Sequence, residues 1–466
     1  MSEEKDLRKT LLVQRVNGFD FLSRDEVIAA SNYAPGYKKY LDEGKTERSS
    51  VLASKALAEG AGYVPYVRGM TLNPGTKVYT IHRDKAIMLA HIGQKPLEEG
   101  ALFAAAHLDA PRLDLKPSPL YEDEEMVFFK THYYGGIRKY QWVTIPLALH
   151  GVVVKKDGEV VDVCVGENED DPVLVITDLL PHLAQDQNDK KLGSAFPGEN
   201  LNVLIGGAPY ADEGKDRFKL AIMSILNDTY GITEHDLFSA ELSLVPAGKA
   251  RDVGLDRSFI GAYGQDDRVC SYTALTALLD LAETPERTAV CILVDKEEIG
   301  SEGITGMQSA WFDGFMTDLC ASQNARLHVC FENSICLSAD VGNAYDPNYP
   351  EVSDKRNNAR CNGGALVTKY TGARGKAGAS DASAELVGLM RRLFEENGVL
   401  WQMGELGKVD QGGGGTVAKF MANRNISTID VGVPVLSMHA PFELTAKLDV
   451  YMLYKAISVF YRKAAL

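Results

Sequence analysis

The sequence predicts an α/β fold in which a mixed, mainly parallel central sheet is flanked by helices and interrupted by an inserted β-rich segment. The chain has 466 residues, which exceeds one ordinary hydrophobic core and indicates two domains or three. Strand-like and helix-like patterns alternate after Asp252, as in parallel sheets covered on both faces. Between residues 116 and 250, by contrast, most segments are short β-like runs. We therefore predict a discontinuous domain, residues 1–115 and 251–466, with residues 116–250 inserted.

The first part of the chain predicts two helical regions followed by extended segments. Residues 18–44 and 49–63 have helical composition, and the alternating pattern that follows predicts a hairpin turning at Arg83 and Asp84. The apolar run after it predicts a strand that stops at His107. In the inserted segment, residues 156–158 predict a second hairpin turn, and the polar residues 184–200 predict a loop.

The last part of the chain predicts the alternation of helices and strands. Apolar residues recur with helical spacing at residues 266–283, 381–398 and 448–466, which predicts three helices. Gly398 is expected to end the second of these helices. Strands are expected in the short apolar runs, at residues 288–295, 327–332, 334–340 and 425–434.

Composition excludes several classes of protein. The net charge of −15 opposes binding to nucleic acid or to an anionic membrane. The charged first residues do not resemble a secretory signal, and no apolar run approaches membrane-spanning length. The seven cysteines are scattered without a CxxC pair. We therefore expect a cytoplasmic protein with no cysteine-bound zinc.

The strongest chemical signal is a pair of adjacent carboxylates, Glu297 and Glu298, directly after a buried apolar strand. Desolvated carboxylates repel each other, so each needs a partner. A pair of divalent cations would supply it. Successive residues face different ways, so Glu298 can bind a cation while Glu297 stays free as a base for a water molecule.

Two further segments offer ligands, each with a structural alternative. His107 and Asp109 lie two positions apart, so in an extended chain both point to one side, the histidine as a ligand and the acid to orient it. A strand-end histidine is otherwise often structural. Asp266 and Asp267 precede a helix, where one is expected to cap it. We assign the other role, bridging two cations, to Asp266.

Asp340 and His439 complete the set. Each follows a predicted strand and would be unremarkable alone, because an aspartate after a strand is commonly a turn residue. Together, two histidines and three carboxylates suit two zinc-like ions that share a bridging carboxylate. The sequence therefore predicts a two-metal hydrolase. Cobalt or manganese would also accept these ligands.

Glycines 412–415 form a run that lacks the lysine and spacing of a phosphate-binding loop. A flexible turn is one interpretation. The other is that backbone N–H groups, such as that of Gly415, approach a substrate carbonyl or carboxylate.

Taken together, the motifs resemble the aspartyl aminopeptidase family, which includes the vacuolar aminopeptidase I type, over nearly the whole chain. The matching segments are HLDAPRL, the YGG turn at Tyr134, LLPHLA, GQDD, DKEEIGSEG, SADVGNAYDPNY, VTKY, GGGGT and SMHAP. The resemblance implies a zinc-exopeptidase-type catalytic domain that removes N-terminal residues from peptides. It also implies that the inserted segment forms dimers, which assemble into tetrahedral dodecamers.

The resemblance also implies roles for individual residues. One metal would be held by His107, Asp340 and the bridging Asp266, the other by Glu298, His439 and the same Asp266. Glu297 would be the general base, and Asp109 would orient His107.

Substrate contacts are implied in the same way for His182, reaching the active site of a neighbouring subunit, and for Lys369. Acid-selective relatives carry histidine near the positions of Asn343 and Asp346. That part of the pocket is neutral or anionic here, which leaves a preference for N-terminal Asp or Glu open, although Lys369 could pair with a carboxylate.

Two alternatives remain open at the level of sequence. A related two-zinc carboxypeptidase or deacylase would instead recognise a free carboxylate. A noncatalytic scaffold would keep the fold without the chemistry, although the complete ligand set and Glu297 argue against it.

Overall fold

The computed structural model describes residues 7–8 and 10–464 and has the predicted α/β architecture. Its helices, numbered α1 to α12, are Gly18–Phe21, Arg24–Glu43, Glu47–Gly60, Gln185–Asn188, Leu192–Ala195, Arg217–Tyr230, Gln265–Leu279, Trp311–Ser322, Leu327–Glu332, Ala384–Glu396, Ala418–Ala422 and Lys447–Lys463. Its strands, numbered β1 to β20, are Val64–Pro65, Lys77–His82, Ala86–His91, Leu102–His107, Arg112–Asp123, Met126–Tyr134, Leu147–Val154, Val160–Val165, Val203–Gly206, Ala240–Pro246, Arg251–Val253, Phe259–Ala262, Ala289–Val294, Ile335–Ser338, Gly342–Asn343, Ala365–Thr368, Trp401–Met403, Ser427–Gly432, Pro434–Leu436 and Glu443–Ala446.

The largest sheet has nine strands in the order β1-β2-β3-β13-β4-β14-β18-β16-β17. Its central strands β13, β4, β14 and β18 are parallel. On either side of them, β3 pairs antiparallel with β13, and β16 pairs antiparallel with β18. Because side chains alternate along a strand, Ala104 of β4 faces one core and Phe103 the other. Helices α2, α3, α7, α10 and α12 cover the first face, and α8 and α11 the second.

The second sheet is entirely antiparallel and lies within the segment predicted to be inserted, except that its first strand begins at Arg112, before the predicted boundary at residue 116. Its six strands run in the order β8-β7-β10-β5-β6-β9 and come from residues 112–246. It has its own apolar core, with Trp142 fully buried, and α6 packs on it through Phe218 and Ile222. The assignment of this segment as a separate domain stays a prediction.

A third, five-stranded sheet has the order β11-β12-β20-β19-β15. Its strands alternate along the chain with those of the nine-stranded sheet: β11 follows the six-stranded sheet, and β20 leads into the C-terminal helix α12. This sheet holds the loop between β19 and β20 and the start of α7 close together, because β12 pairs with β20.

Most predicted elements are present, and three expectations differ. The hairpin does turn at Arg83 and Asp84, both with positive φ, and Ser383 caps α10, which ends just before Gly398. Residues 327–332, predicted to be a strand, form the helix α9. The predicted polar loop at residues 184–200 contains the short helices α4 and α5. The last predicted helix ends at residue 463, and residues 465–466 lie outside the described part of the chain.

Within the part of the chain that the structure describes, no helix is both long and apolar enough to span a membrane.

Candidate metal centre

Three adjacent parallel strands deliver side chains to one edge of the nine-stranded sheet. The strand β4 ends at His107, its neighbour β13 leads into the turn at Glu297 and Glu298, and its other neighbour β14 leads to Asp340. Parallel strands present their carboxyl ends at the same edge, so these side chains converge there.

The five-stranded sheet supplies two more side chains to the same place. Asp266 lies at the start of α7, just after β12, and His439 lies in the loop between β19 and β20. The buried carboxylate of Glu443 joins the two segments, because it accepts the backbone N–H of Asp266 at 3.0 Å and that of His439 at 2.6 Å.

The converging side chains form two groups that share Asp266. The first, the His107 group, contains His107, Asp266 and Asp340, and the second, the His439 group, contains Asp266, Glu298 and His439. In each group, the potential ligand atoms lie within 4.8 Å of one another. His107 Nε2 is 3.3 Å from Asp266 Oδ1, and His439 Nε2 is 3.1 Å from Asp266 Oδ2.

The donor atoms of this cluster fit divalent metal ions. Asp266 Oδ1 and Glu298 Oε1 are buried and make no hydrogen bond to a described residue, with only an imidazole nitrogen near each, at 3.3 and 3.4 Å. A buried carboxylate oxygen without a partner is unfavourable, and a cation between the two groups would satisfy both oxygens. Imidazole nitrogens and carboxylate oxygens are also the ligands that zinc accepts.

Electrostatics support the same conclusion. Burial raises the pKa of Glu297 to about 7, and it raises those of Glu298 and Asp340 well above their usual range. Burial lowers the pKa of His107, but the carboxylates of Asp109 and Asp266 outweigh burial and raise it far above its usual value. Burial therefore opposes ionisation of these carboxyl groups, and bound cations would stabilise their ionised forms.

Asp109 holds both the first histidine and the acidic turn. Its carboxylate accepts the backbone N–H groups of Glu297 at 3.1 Å and Glu298 at 3.2 Å, and Oδ1 lies 3.3 Å from His107 Nδ1. Tyr134 donates its hydroxyl to the same carboxylate at 2.8 Å. With a proton on Nδ1, His107 presents the lone pair of Nε2 toward Asp266.

The turn that contains Tyr134 also reaches His439. The carbonyl of Gly136 lies 2.9 Å from His439 Nδ1, which leaves Nε2 facing Asp266 and Glu298. A side chain at Gly135, whose φ is +70°, would approach Cβ of Glu298 to 3.3 Å. Glycine therefore suits this position for both its conformation and the close approach.

A cavity of about 490 Å³ opens beside the two groups. Glu297 and the ligand candidates of the His439 group line its floor, and the glycine run, including Gly415, lines a wall. Adding a Cβ to Gly415 would meet nothing within 4 Å, so the backbone here is accessible. Cationic side chains also line the cavity, and they are Arg374, Lys376, Lys408 and Lys419.

Three residues predicted to contact substrate are not among those that line this cavity. Lys369 forms an ion pair with Asp381. Asn343 accepts a hydrogen bond from the side chain of Asn358 through its backbone carbonyl at 2.7 Å. His182 is exposed on the turn Pro181–Leu183. The roles assigned to these three residues stay predictions.

One expectation near the centre is wrong. Both Asp266 and Asp267 have non-helical φ and ψ at the start of α7, and the helix has no side-chain cap hydrogen bond there. Asp267 instead accepts the backbone N–H of His107 at 3.3 Å. The N-cap was the simpler reading of two acids before a helix, but the buried strand end offers an N–H that also needs a partner.

Glu443 was missed by the sequence reasoning, and the positioning contact of Tyr134 was not foreseen. A carboxylate four residues after His439, inside an apolar segment, is the one signal that could have pointed to Glu443.

Comparisons with known proteins agree with this geometry. Residues 40–461 match the family model for aminopeptidase I zinc metalloproteases (M18). A probable M18 family aminopeptidase 1 of Clostridium acetobutylicum is 47% identical over 459 residues, which cover 97% of this chain and 98% of the relative. The crystal structure of an M18-family aminopeptidase from Thermotoga maritima has a TM-score of 0.92 at 43% identity, covering 97% of this chain and 100% of that one.

A more distant solved structure, the mApe1 dodecamer of S. cerevisiae, shares the fold with a TM-score of 0.76 at 23% identity, covering 94% of this chain and 97% of that one. The family inferred from the sequence motifs is thus confirmed. The match to the family model and the close relatives together show that this chain belongs to the M18 family of zinc metalloproteases and is an aminopeptidase.

Proposed function

We propose that this aminopeptidase works with two zinc ions per chain. His107, Asp340 and one oxygen of Asp266 would hold the first ion, and Glu298, His439 and the other oxygen of Asp266 the second. The observation that supports this most directly is the overlap of two ligand groups on Asp266, with buried, unpaired oxygens in both Asp266 and Glu298.

When bound, the ions supply positive charge that polarises the scissile carbonyl and acidifies a water molecule. Glu297 lines the cavity, and its Oε2 lies 3.9 Å from His107 Nε2. Its carboxylate would take a proton from the attacking water and pass it to the leaving amine. Asp109 would hold the Glu297 backbone and the His107 ring in place for this transfer.

The cavity wall supports selection of acidic N-terminal residues. Arg374, Lys408 and Lys419 line it as cations beside the acids Glu405 and Asp410, whereas Asn343 and Asp346 do not line it. A carboxylate side chain of the substrate would be attracted to this wall. Rates on glutamyl and leucyl anilides, compared at equal concentration, would test this selectivity. A faster leucyl anilide would contradict it.

The inserted segment supports assembly of the chain into oligomers. Exposed apolar side chains cluster along residues 173–192, including Leu179, Leu180 and Leu183, with His182 between the last two. Contact with a second copy would bury these side chains and bring His182 into the interface. We propose a dimer through this segment and a dodecamer of such dimers, like the mApe1 assembly.

A cytoplasmic location is part of the same proposal. All seven cysteines are free thiols, as expected in a reducing compartment.

Glu297→Gln tests the proposed mechanism. Glutamine keeps the size of the side chain but cannot take the proton, so kcat on an aminoacyl anilide should fall roughly 10³-fold with the zinc content unchanged. Glu302→Gln, the same change on an exposed residue of the following turn, is the control and should keep full activity. Ordinary turnover in the Glu297 variant would remove this residue from the role.

Removal and return of metal tests the cofactor. The chelated enzyme should be inactive, and activity should return only after two zinc ions per chain have bound. Full activity with a single ion would contradict the dinuclear proposal. Parallel additions of cobalt and manganese would rank the metals, and an N-acyl amino acid should remain uncleaved throughout.

A further inference from the structure

A second cluster of reactive side chains lies on the six-stranded sheet, outside the cavity. Cys164 is on the edge strand β8, directly opposite His150 on β7. Residues opposite each other in an antiparallel pair project from the same face, so the thiol and the imidazole are neighbours. Cys164 is also exposed, whereas the other six cysteines are buried or partly buried.

The three side chains of the cluster lie in a row. Cys164 Sγ is 3.9 Å from His150 Nδ1, within reach of a weak sulfur hydrogen bond, and His150 Nε2 is 2.9 Å from Glu167 Oε1. The imidazole is largely buried between them. The second carboxylate oxygen, Glu167 Oε2, is buried and has no hydrogen-bond partner among the residues that the structure describes.

This order assigns a role to each group. Glu167 accepts the Nε2 proton, which leaves the lone pair of Nδ1 facing the thiol as a base. A nucleophile beside a base that a third group orients is the arrangement that activates a cysteine. Lys45 does not compete for the imidazole, because its ammonium donates to the carbonyls of Pro246 and Gly248 and lies 3.9 Å from Glu167 Oε1.

We propose that Cys164 is a modification site that reacts with low-molecular-weight disulfides by thiol–disulfide exchange. His150 Nδ1 takes the thiol proton as Sγ attacks one sulfur of the disulfide. A new S–S bond forms to Cys164 while the S–S bond of the reagent breaks. The departing thiolate receives the proton from His150, so one disulfide and one thiol become another disulfide and another thiol.

The other charged and titratable groups near the cluster are compatible with this step. Tyr230 donates its hydroxyl to the backbone carbonyl of Cys164 at 3.2 Å, not to the sulfur. Asp171 is engaged by the backbone N–H of Gly166 at 3.1 Å. Burial lowers the pKa of His150, but Cys164 and Glu167 outweigh burial and raise it, which favours a ring that can accept a proton.

The test uses the intact, reduced enzyme and the neutral probe 4,4′-dithiodipyridine, whose thiopyridone product is followed by absorbance. An ordinary thiol carries about 1% thiolate at pH 6.5, so a neighbouring base that takes the thiol proton during the attack should speed the reaction. We expect one thiol per chain to react roughly fivefold faster than glutathione at pH 6.5. Cys164→Ser should abolish this fast phase, and Cys361→Ser, the matched change at a partly buried cysteine, should leave it intact.

The role of the base is tested separately. His150→Asn should bring the rate at pH 6.5 down to that of glutathione or below, while the rates converge at pH 9. Glu167→Gln keeps the shape of the carboxylate and should slow the reaction by a smaller factor, so it decides the question if the His150 variant does not fold. A fast phase that survives in Cys164→Ser, a wild-type rate no higher than that of glutathione, or an undiminished rate in the folded His150 or Glu167 variant would overturn the proposal.

Discussion

The His107 group and the His439 group share Asp266 but are held in place in different ways. His107 ends a fully buried central strand, and Asp109 and Asp267 bind its ring and its backbone. His439 lies in a loop with a positive φ of 64°, and about a third of its side chain is exposed. It is fixed by Glu443 and by the carbonyl of Gly136.

We therefore expect the two groups to contribute differently to folding and to metal binding. In the first group His107 and Asp266 are buried, so the loss of His107 should disturb folding as well as metal binding. The second group depends on hydrogen bonds between segments distant in sequence, so it should be sensitive mainly in metal binding and catalysis. The following variants test this difference.

Asp266→Asn should have the largest effect, because Asp266 belongs to both groups. Asparagine keeps the shape but has one carboxylate oxygen fewer, so both zinc ions should be lost and kcat/KM should fall roughly 10³-fold or more. Zinc per chain is measured by elemental analysis after gel filtration. Asp280→Asn, just after the other end of α7, is the control. If either ion stayed bound, the two groups would be more independent than their shared ligand implies.

His107→Ala and His439→Ala should separate the groups. Each variant should lose tight binding of one zinc ion. Only His107→Ala should substantially lower the free energy of unfolding of the metal-free protein. Removing His107 leaves the buried Asp109 and Asp266 without their partner, which we expect to lower the free energy of unfolding by about 2 kcal/mol. Removing the half-exposed His439 should lower it by less than about 1 kcal/mol. Equal losses in urea unfolding would contradict the contrast.

Asp109→Asn and Glu443→Gln test the residues that position the two histidines. Each amide would place an NH2 group among backbone N–H donors, and we expect zinc affinity to fall about 10- to 100-fold. The loss should fall on the first ion in the Asp109 variant and on the second in the Glu443 variant. Chelator competition measures the two dissociation constants. If both variants lost affinity for the same zinc ion, Asp109 and Glu443 would not position the two histidines independently.

Competition between protons and zinc for His439 should have the smallest effect when it is measured at a single pH. Burial lowers the pKa of His439, but Asp266 and Glu298 outweigh burial and place it at about 10. The ring is therefore protonated below that pH without an ion, and zinc must displace the proton. Affinity of the second ion should fall about tenfold for each unit of pH lowered between 8 and 6. Calorimetry in buffers of different ionisation enthalpy would show the released protons, and a flat profile would contradict the prediction.

The sequence predicted the strand-end positions well because each is marked by a local pattern. Buried strands read as continuous apolar runs, so His107, Glu297 and Asp340 stand out as the polar residues at or just after their ends. Residues 327–332 were wrongly predicted to be a strand because no local pattern distinguishes the two structures there. A segment of six residues with four apolar side chains fits both the strand and the helix period, and its context decides between them.

The supporting residues could not be predicted in this way, because their roles depend on contacts between distant segments. Tyr134 and Asp109 are 25 positions apart, and Glu443 and Asp266 are 177 apart. Neither pair has a spacing that a strand or helix would impose. The pairing of Lys369 with Asp381 likewise depends on how the chain folds around it, and it takes that lysine away from the cavity.

The YGG turn has a practical consequence for protein engineering. Tyr134 and Gly136 belong to the segment between residues 116 and 250, yet they touch Asp109 and His439 directly. Excising that segment to obtain a minimal peptidase would therefore remove a direct contact of His439 and a contact of Asp109, the residue that orients His107. A shortened variant would have to retain this turn, grafted onto a new linker, to keep a competent catalytic core.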